Sequence, residues 1–452
     1  MWRSLRHALM PSVVGCIALC QAADYEYGEV LKMSLLFYEA QRSGKLPADQ
    51  KVTWRKDSAL NDKGQNGEDL TGGYYDAGDY VKFGFPMAFS MTLLAWGVIS
   101  HEAGYTKASS LEDARKAIKW GTDYFLKCHV SEHELYGQVG DGTLDHDSWG
   151  RPEDMTMERP ATKIDEDHPG SELAAETAAA LASASIVFKT ADPSYSTTLL
   201  NHAEQLFEFA DTFRGNYSKV LDPAFYTSSG YEDELVWGAL WLYKATGDEA
   251  YLTKAESLYS EFHLAEYGRW FGWDQKISGV EVFWAQLTKA TAHVNKAKDY
   301  CDYMINKEDK TPKGLVYIEK WGSLRLAADA AFICLEVAEA GFNPDEYREF
   351  AKSQIDYMLG DAGRSYVVGY GVNPPSHEHH RSSSCPDAPA TCDWDNYNSE
   401  DPNPHVLYGA LVGGPYEDDD YEDVRSDYVR NEVACDYNAG FQSALAALYE
   451  LA

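Results

Sequence analysis

Gly170-Ser171-Glu172-Leu173-Ala174-Ala175-Glu176-Thr177-Ala178-Ala179-Ala180-Leu181-Ala182-Ser183-Ala184-Ser185-Ile186-Val187-Phe188-Lys189-Thr190 is rich in alanine, at seven of its 21 residues. Alanine is the strongest helix former, so this stretch reads as a helix. The 3.6-residue period continues on both sides of it. Upstream, Tyr27 to Ser43 sets Val30, Leu31, Leu35, Leu36, Phe37 and Ala40 at helical spacing. Pro86 opens a second helix with Met91, Leu94, Ala95 and Val98, and Leu111 to His129 forms a third. Downstream, the period predicts helices over 193–214, 231–246, 248–263, 280–289, 292–307, 322–341, 344–359 and 433–451. Twelve helices result, with no sustained strand alternation and no Pro/Thr/Ser-rich linker between them. No repeat of fixed period is visible, which disfavours an open solenoid. The expected architecture is a single all-α domain over 23–452, six helical hairpins closing on themselves. Long loops at 44–84, 131–169 and 360–431, rich in Trp, Tyr, His, Asp and Arg, are expected to carry the site.

The 452 residues carry 72 acidic against 39 basic side chains, a net charge of -33. That balance argues against nucleic acid or an anionic membrane as partner. Arg3 and Arg6 precede an apolar run ending at Cys20, Gln21 and Ala22, which reads as a secretory signal peptide over 1–22. No later stretch is expected to be long and apolar enough to span a membrane. The expectation is a secreted, extracellular monomer. Of 8 cysteines, Cys16 and Cys20 leave with the leader. Cys385 and Cys392 flank a Pro-containing segment and are the one local disulfide expected. Cys128, Cys301, Cys334 and Cys435 lie in helix-like stretches and are expected to be buried thiols. Asn216-Tyr217-Ser218 is a glycosylation sequon.

Three constellations carry the chemistry. In Gly72-Gly73-Tyr74-Tyr75-Asp76-Ala77-Gly78-Asp79-Tyr80-Val81-Lys82-Phe83-Gly84, two carboxylates stand three residues apart among glycines and aromatics. Asp76 and Asp79 are placed to share a water, with Tyr74, Tyr75, Tyr80 and Phe83 as flat surfaces beside them. Taken alone, such a loop is more often a solvated turn. The second cluster runs from Tyr421 to Glu432 into the last helix, with Asn431 expected as N-cap and Glu432 in the first turn. An acid there also complements the helix dipole, but that does not explain Asp423 and Asp427. The run Glu417 to Asp420 reads as a solvated loop. The third is Ser376-His377-Glu378-His379-His380-Arg381, whose spacing is poor for zinc and suits hydrogen bonding to hydroxyls. Separated carboxylates, a His/Arg loop and many aromatics together suit glycoside hydrolysis. Ser229-Gly230-Tyr231-Glu232-Asp233-Glu234 offers oxygens to a hard cation, although a cap followed by first-turn acids is the commoner meaning.

These motifs resemble glycoside hydrolase family 9, the cellulases with an (α/α)6 barrel, and most closely its animal endo-β-1,4-glucanases. The resemblance covers 23–452 and is carried by 70–79, 365–375, 379–381 and 423–438. It implies Asp79 as general base, Asp76 as its helper on the nucleophilic water, and Glu432 as general acid. It also marks His379 and Asp423 as catalytic, implies that Arg381 contacts substrate hydroxyls, and likens His146, Tyr226, Trp273, Trp321 and Tyr428 to subsite residues. A structural calcium is implied at Ser229, Gly230, Asp233, Glu234 and Asp274. The implied activity is an inverting endo-β-1,4-glucanase on cellulose, secreted into a digestive lumen. Without a cellulose-binding module before Asp24 or after Ala452, it would act on accessible glucan. One departure is Glu378, preceded by His377, a charge expected to raise the pKa of His379. A carboxylate such as Asp423 or Asp427 is expected to raise that of Glu432. The alternatives are a same-scaffold hydrolase for another β-glucan or chitosan, and a non-catalytic glucan-binding protein.

Overall fold

The computed structural model describes residues 25–221 and 225–452. The expected leader, 1–22, lies outside the described residues. Among them, twelve long helices follow in order: α1 (Tyr27–Gln41), α2 (Gly84–Lys107), α3 (Leu111–Cys128), α4 (Ser171–Phe188), α5 (Pro193–Thr212) and α6 (Glu232–Thr246), then α7 (Glu249–Glu261), α8 (Ile277–Thr288), α9 (Thr291–Asn306), α10 (Ser323–Glu339), α11 (Pro344–Asp356) and α12 (Cys435–Leu451). The even-numbered helices pack in the ring α2–α4–α6–α8–α10–α12 and back to α2. Each odd-numbered helix lies outside it against an even-numbered partner. This is an (α/α)6 barrel.

Burial explains the ring. In α4 every residue except Ile186 is buried, whereas in α7 only Ala255 and Leu258 are. An inner helix must be small or apolar on every side; an outer helix needs one stripe. Trp96, Trp237, Phe283 and Phe332, from α2, α6, α8 and α10, fill the axis with ring centroids 5.2–5.6 Å apart. By length and composition α4 does reach the measure of a membrane-spanning helix, contrary to the sequence expectation; here it is core.

Two further expectations fail. The loops contain a small sheet: β1 (Lys82–Phe83), β2 (His129–Ser131), β3 (Glu134–Val139) and β4 (Ala161–Ile164). β3 pairs antiparallel with each of the others. Leu135 to Val139 are all buried, so no alternation marks β3 in the sequence. Cys301 and Cys334 are not free thiols but a disulfide joining α9 to α10. Cys385–Cys392 is bridged as expected, and Cys128 and Cys435 are buried and free.

Chain direction positions the site. Every inner helix begins at the end where the long connections 42–83, 129–170, 213–231, 262–276, 307–322 and 357–434 lie. Six helix N-termini therefore share that end, and their dipoles favour negative charge there.

Candidate active site

The loop 72–84 is fastened from three sides. Tyr75 N–H donates to Gln41 O, and Gln41 Nε2 to Ala77 O. The carbonyl of Asp76 accepts the N–H of Cys435 at the start of α12, 2.9 Å away. Gly78 lies so close to the His379 loop that a Cβ on it would stand 2.3 Å from His379 O. Its missing side chain thus serves backbone-to-backbone contact rather than approach to a ligand. His379 N–H in turn donates to Asn431 O, and His379 forms a parallel bridge with Glu432. The Asp pair, the His loop and Glu432 are one fastened unit.

Asp76, Asp79 and Glu432 line a single cavity of about 550 Å³. Asp79 accepts N–H bonds from Ala77 (3.1 Å) and Val81 (3.3 Å), which fix its carboxylate inside its own turn. Asp76 accepts the Tyr226 hydroxyl on Oδ2, while Oδ1 is buried without a partner. Burial, and then the charge of Asp79, hold the Asp76 carboxyl well above the usual range. Glu432 Oε2 accepts Trp321 Nε1–H at 2.9 Å and the Tyr437 hydroxyl at 3.4 Å. Burial pushes its pKa up to about 7; the Trp321 bond opposes that, and the charges of Asp79 and Asp436 add to it. Asp423 and Asp427 are not the cause. Asp423 is spent on the Ser376 and His377 N–H groups, and Asp427 on Arg430. Glu432 also does not sit in a first turn. It is extended (φ -62, ψ 149), and Ala434 is the N-cap of α12, so the helix-dipole explanation for this acid falls away.

Of the expected subsite residues, His146, Tyr226, Trp273 and Trp321 line the cavity. Tyr226 packs edge-on against Trp273, and His146 stacks on Phe225 at 4.7 Å. Tyr74, Tyr75 and Tyr80 are buried, contrary to expectation; their hydroxyls bond Ala117 O, Ser58 Oγ and Gly150 O and hold the loop. Asp423, His379, Arg381 and Tyr428 lie outside the cavity lining. Arg381 is buried, paired to Asp145 at 2.7 Å and wedged over Tyr80 and Trp149. His379 Nδ1 donates to Arg425 O. Its pKa is lowered to about 4, first by burial, with the charges of Arg381, His146 and Arg425 adding to it. The expected increase fails because Glu378 is buried away from it, accepting the Ser383 hydroxyl. Tyr428 is exposed beside Trp321, 5.4 Å between rings.

The calcium-like group is tied to Lys276. Asp233 accepts Lys276 N–H, Glu234 Oε1 accepts its Nζ at 3.2 Å, and Asp274 accepts Ser229 N–H at 2.7 Å. Among the described residues no three His, Cys, Asp or Glu side chains gather as a metal-binding set. Yet Glu234 Oε2 is buried without a partner, and Asp233, Glu176 and Asp274 crowd the same carboxylate against one lysine. That excess of negative charge over one cation fits a second cation.

Four contributors escaped the sequence. Asp436 lies in the first turn of α12, paired to Arg325 at 2.8 Å, and looks like an ordinary first-turn acid. Asp145 is held above its usual range, to about 6, by burial and then by Asp79. Trp270 and Phe225 line the cavity from loops with no motif. The only signal for them was aromatic residues close before α6 and α8.

The sequence profile described as Glycosyl hydrolase family 9 matches residues 27–445. The solved endoglucanase of the termite Nasutitermes takasagoensis is 64% identical, covers 95% of this chain and 100% of its own, and superposes with a TM-score of 0.94. Endoglucanase B of Cellulomonas fimi is 49% identical over 95% of this chain, which spans only 42% of that relative's length. Endoglucanase A of Bacillus pumilus is 46% identical over 95% of the chain and 67% of its own length.

Proposed function

This chain belongs to glycosyl hydrolase family 9, and from that premise we propose that it is a secreted endo-β-1,4-glucanase that cleaves internal bonds of cellulose with inversion. The observation that carries the reading is that three carboxylates with different surroundings line one cavity. Glu432, with a pKa raised to about 7, holds a proton for the leaving oxygen. Burial and the charge of Asp79 hold the Asp76 carboxyl well above its usual range, which favours Asp79 as the base. Asp76 is then the helper that orients the attacking water, itself oriented by Tyr226. Inversion needs that water between base and sugar. Trp273 and Trp321 offer ring faces to glucosyl units on either hand. His379, Arg381 and Asp423 act as supports of the cleft wall rather than as groups that touch the reacting atoms. The names and coverage of the endoglucanase relatives favour β-1,4-glucan over chitosan, and the full set of acids disfavours a non-catalytic binder.

The test is Glu432→Gln. It should cost roughly 10²- to 10⁴-fold in kcat on a soluble β-1,4-glucan while leaving the melting curve in place. Near-normal hydrolysis by this variant would mean that the acid lies elsewhere. NMR of the first-formed product should show the α-anomer; a β-anomer would make the enzyme retaining.

A structural calcium belongs to the same reading. Asp233, Glu234 and Asp274, with Ser229 and Gly230, would hold it, and its contribution is to neutralise their crowded charge. Chelator should lower the melting temperature, and calcium should restore it. An unchanged melt would leave Lys276 as the sole counter-ion.

A further inference from the structure

Among the described residues three tryptophans are exposed: Trp270, Trp321 and Trp394. The first two line the cavity. The third does not, yet it is joined to Trp321 by an unbroken run of rings. From Trp321, whose indole N–H holds Glu432, the run passes to Tyr428 at 5.4 Å and to His379 at 5.9 Å. It continues to Tyr397 at 6.1 Å and ends on Trp394, 5.3 Å further. Tyr428 and Trp394 are each nearly half exposed, at 47% and 44%. A solitary exposed tryptophan needs no explanation. One at the end of a ring path that starts on the catalytic acid does.

Trp394 is also built in place. The Cys385–Cys392 disulfide closes the loop just before it. Asp393 and Asn396 form a reciprocal capping box around the turn that carries it. Asn398 Nδ2 donates to its carbonyl at 2.7 Å. Arg425 donates to Asn396 O and Ser399 O at 2.8 Å each, and its own carbonyl accepts from His379. The turn is thus referenced to the same His379 loop that bridges Glu432. Beneath it, Trp149 packs on Tyr397 at 4.8 Å and on Trp394 at 6.0 Å, with its N–H fixed on Ser384 Oγ. Rigid aromatic faces held at one orientation bind with little entropy loss.

Resting on the glucanase reading above, we propose that Trp394, with Tyr397 beside it, is a sugar-stacking platform that lengthens the cleft past Tyr428 and takes a further glucosyl unit of the β-1,4-glucan chain. Its binding energy is remote from the bond that breaks, so it favours long chains over short ones.

Trp394→Ala tests this, with Trp394→Tyr as the variant that keeps a ring. In the Glu432→Gln background, retardation of the protein in a native gel containing soluble β-1,4-glucan should weaken roughly fivefold for Trp394→Ala, about one stacking contact, and largely recover for Trp394→Tyr. In the active protein, the loss in kcat/KM on polymer should exceed the loss on a trisaccharide. Equal retardation with and without the ring, or equal losses on both substrates, would overturn the platform. A parent protein that hydrolyses neither substrate, yet shows ring-dependent retardation, would overturn the hydrolase reading and leave the platform standing.

Discussion

At the end of the barrel away from the cavity, helices are joined by residues 108–110, 189–192, 247–248, 289–290 and 340–343; at the cavity end the connections run to 42–83 and 357–434. Charge differs as much as length. At the short-turn end His101, where α2 leaves helical dihedrals (φ -128, ψ 36), is held between Glu336 of α10 at 3.0 Å and Glu450 of α12 at 3.1 Å. Glu336 also receives Ser100 and Gln286. At the cavity end, buried oxygens of Asp76, Glu172, Glu234, Asp329 and Asp436 have no partner. One end spends its buried charge on stability. The other gathers more carboxylate oxygens than its two buried cations, Arg325 and Lys276, can satisfy, where the N-termini of six inner helices make that tolerable.

Breaking the paired end should have the largest effect. Burial alone would lower the pKa of His101; the bonds to Glu336 and Glu450 overcome it and raise the pKa to about 9. A raised histidine stabilises the fold fully below its unfolded value of about 6.5, and that contribution is lost as pH rises through 9. His101→Gln should therefore cost about 3 kcal/mol near pH 6 by chemical unfolding. The gap to the parent protein should close between pH 7 and 9.5. A constant gap across that range would mean that packing, not charge, holds the three helices.

Changing the cavity end should show in the pH dependence of activity. On the proposed assignment Glu432 must carry a proton to act as acid, so activity should fall as pH rises past about 7. Neutralising Asp436 removes one like charge, so Glu432 releases its proton more readily. In Asp436→Asn the alkaline limb of kcat/KM should shift to lower pH by up to about one unit. Asp423→Asn should leave that limb in place, because Asp423 is spent on Ser376 and His377. A limb that moves with Asp423 instead would restore the sequence's own assignment.

That pair of variants marks where the sequence was legible and where it was not. All twelve helices were readable because inner and outer helices both keep the 3.6 period. β3 was not, because Leu135 to Val139 are buried on both faces. Asp76, Asp79 and Glu432 stood out as acids in unusual company. Asp436 did not, since an acid in a first turn has an ordinary meaning. Its pairing with Arg325, 111 residues earlier, is a property of the closed ring. The Cys301–Cys334 bridge was hidden for the same reason: only the packing of α9 on α10 brings the two together.

The short turns themselves offer the smallest and sharpest comparison. Gly247 ends α6 in the left-handed region at φ 72, and a Cβ there would touch nothing within 4 Å. Ser109 follows α2 with the same handedness at φ 55, and its exposed side chain carries a Cβ into that region. The two positions differ in conformational cost and in little else. Gly247→Ala should destabilise by about 1 kcal/mol, and Ser109→Gly should stabilise by a similar or smaller amount. In a chain of this size each is a shift of about one degree in melting temperature, in opposite directions. Additivity in the double variant would show that the turns at this end act independently. A loss on Ser109→Gly would mean that the stiffness of the serine backbone in the unfolded chain outweighs its strain in the turn.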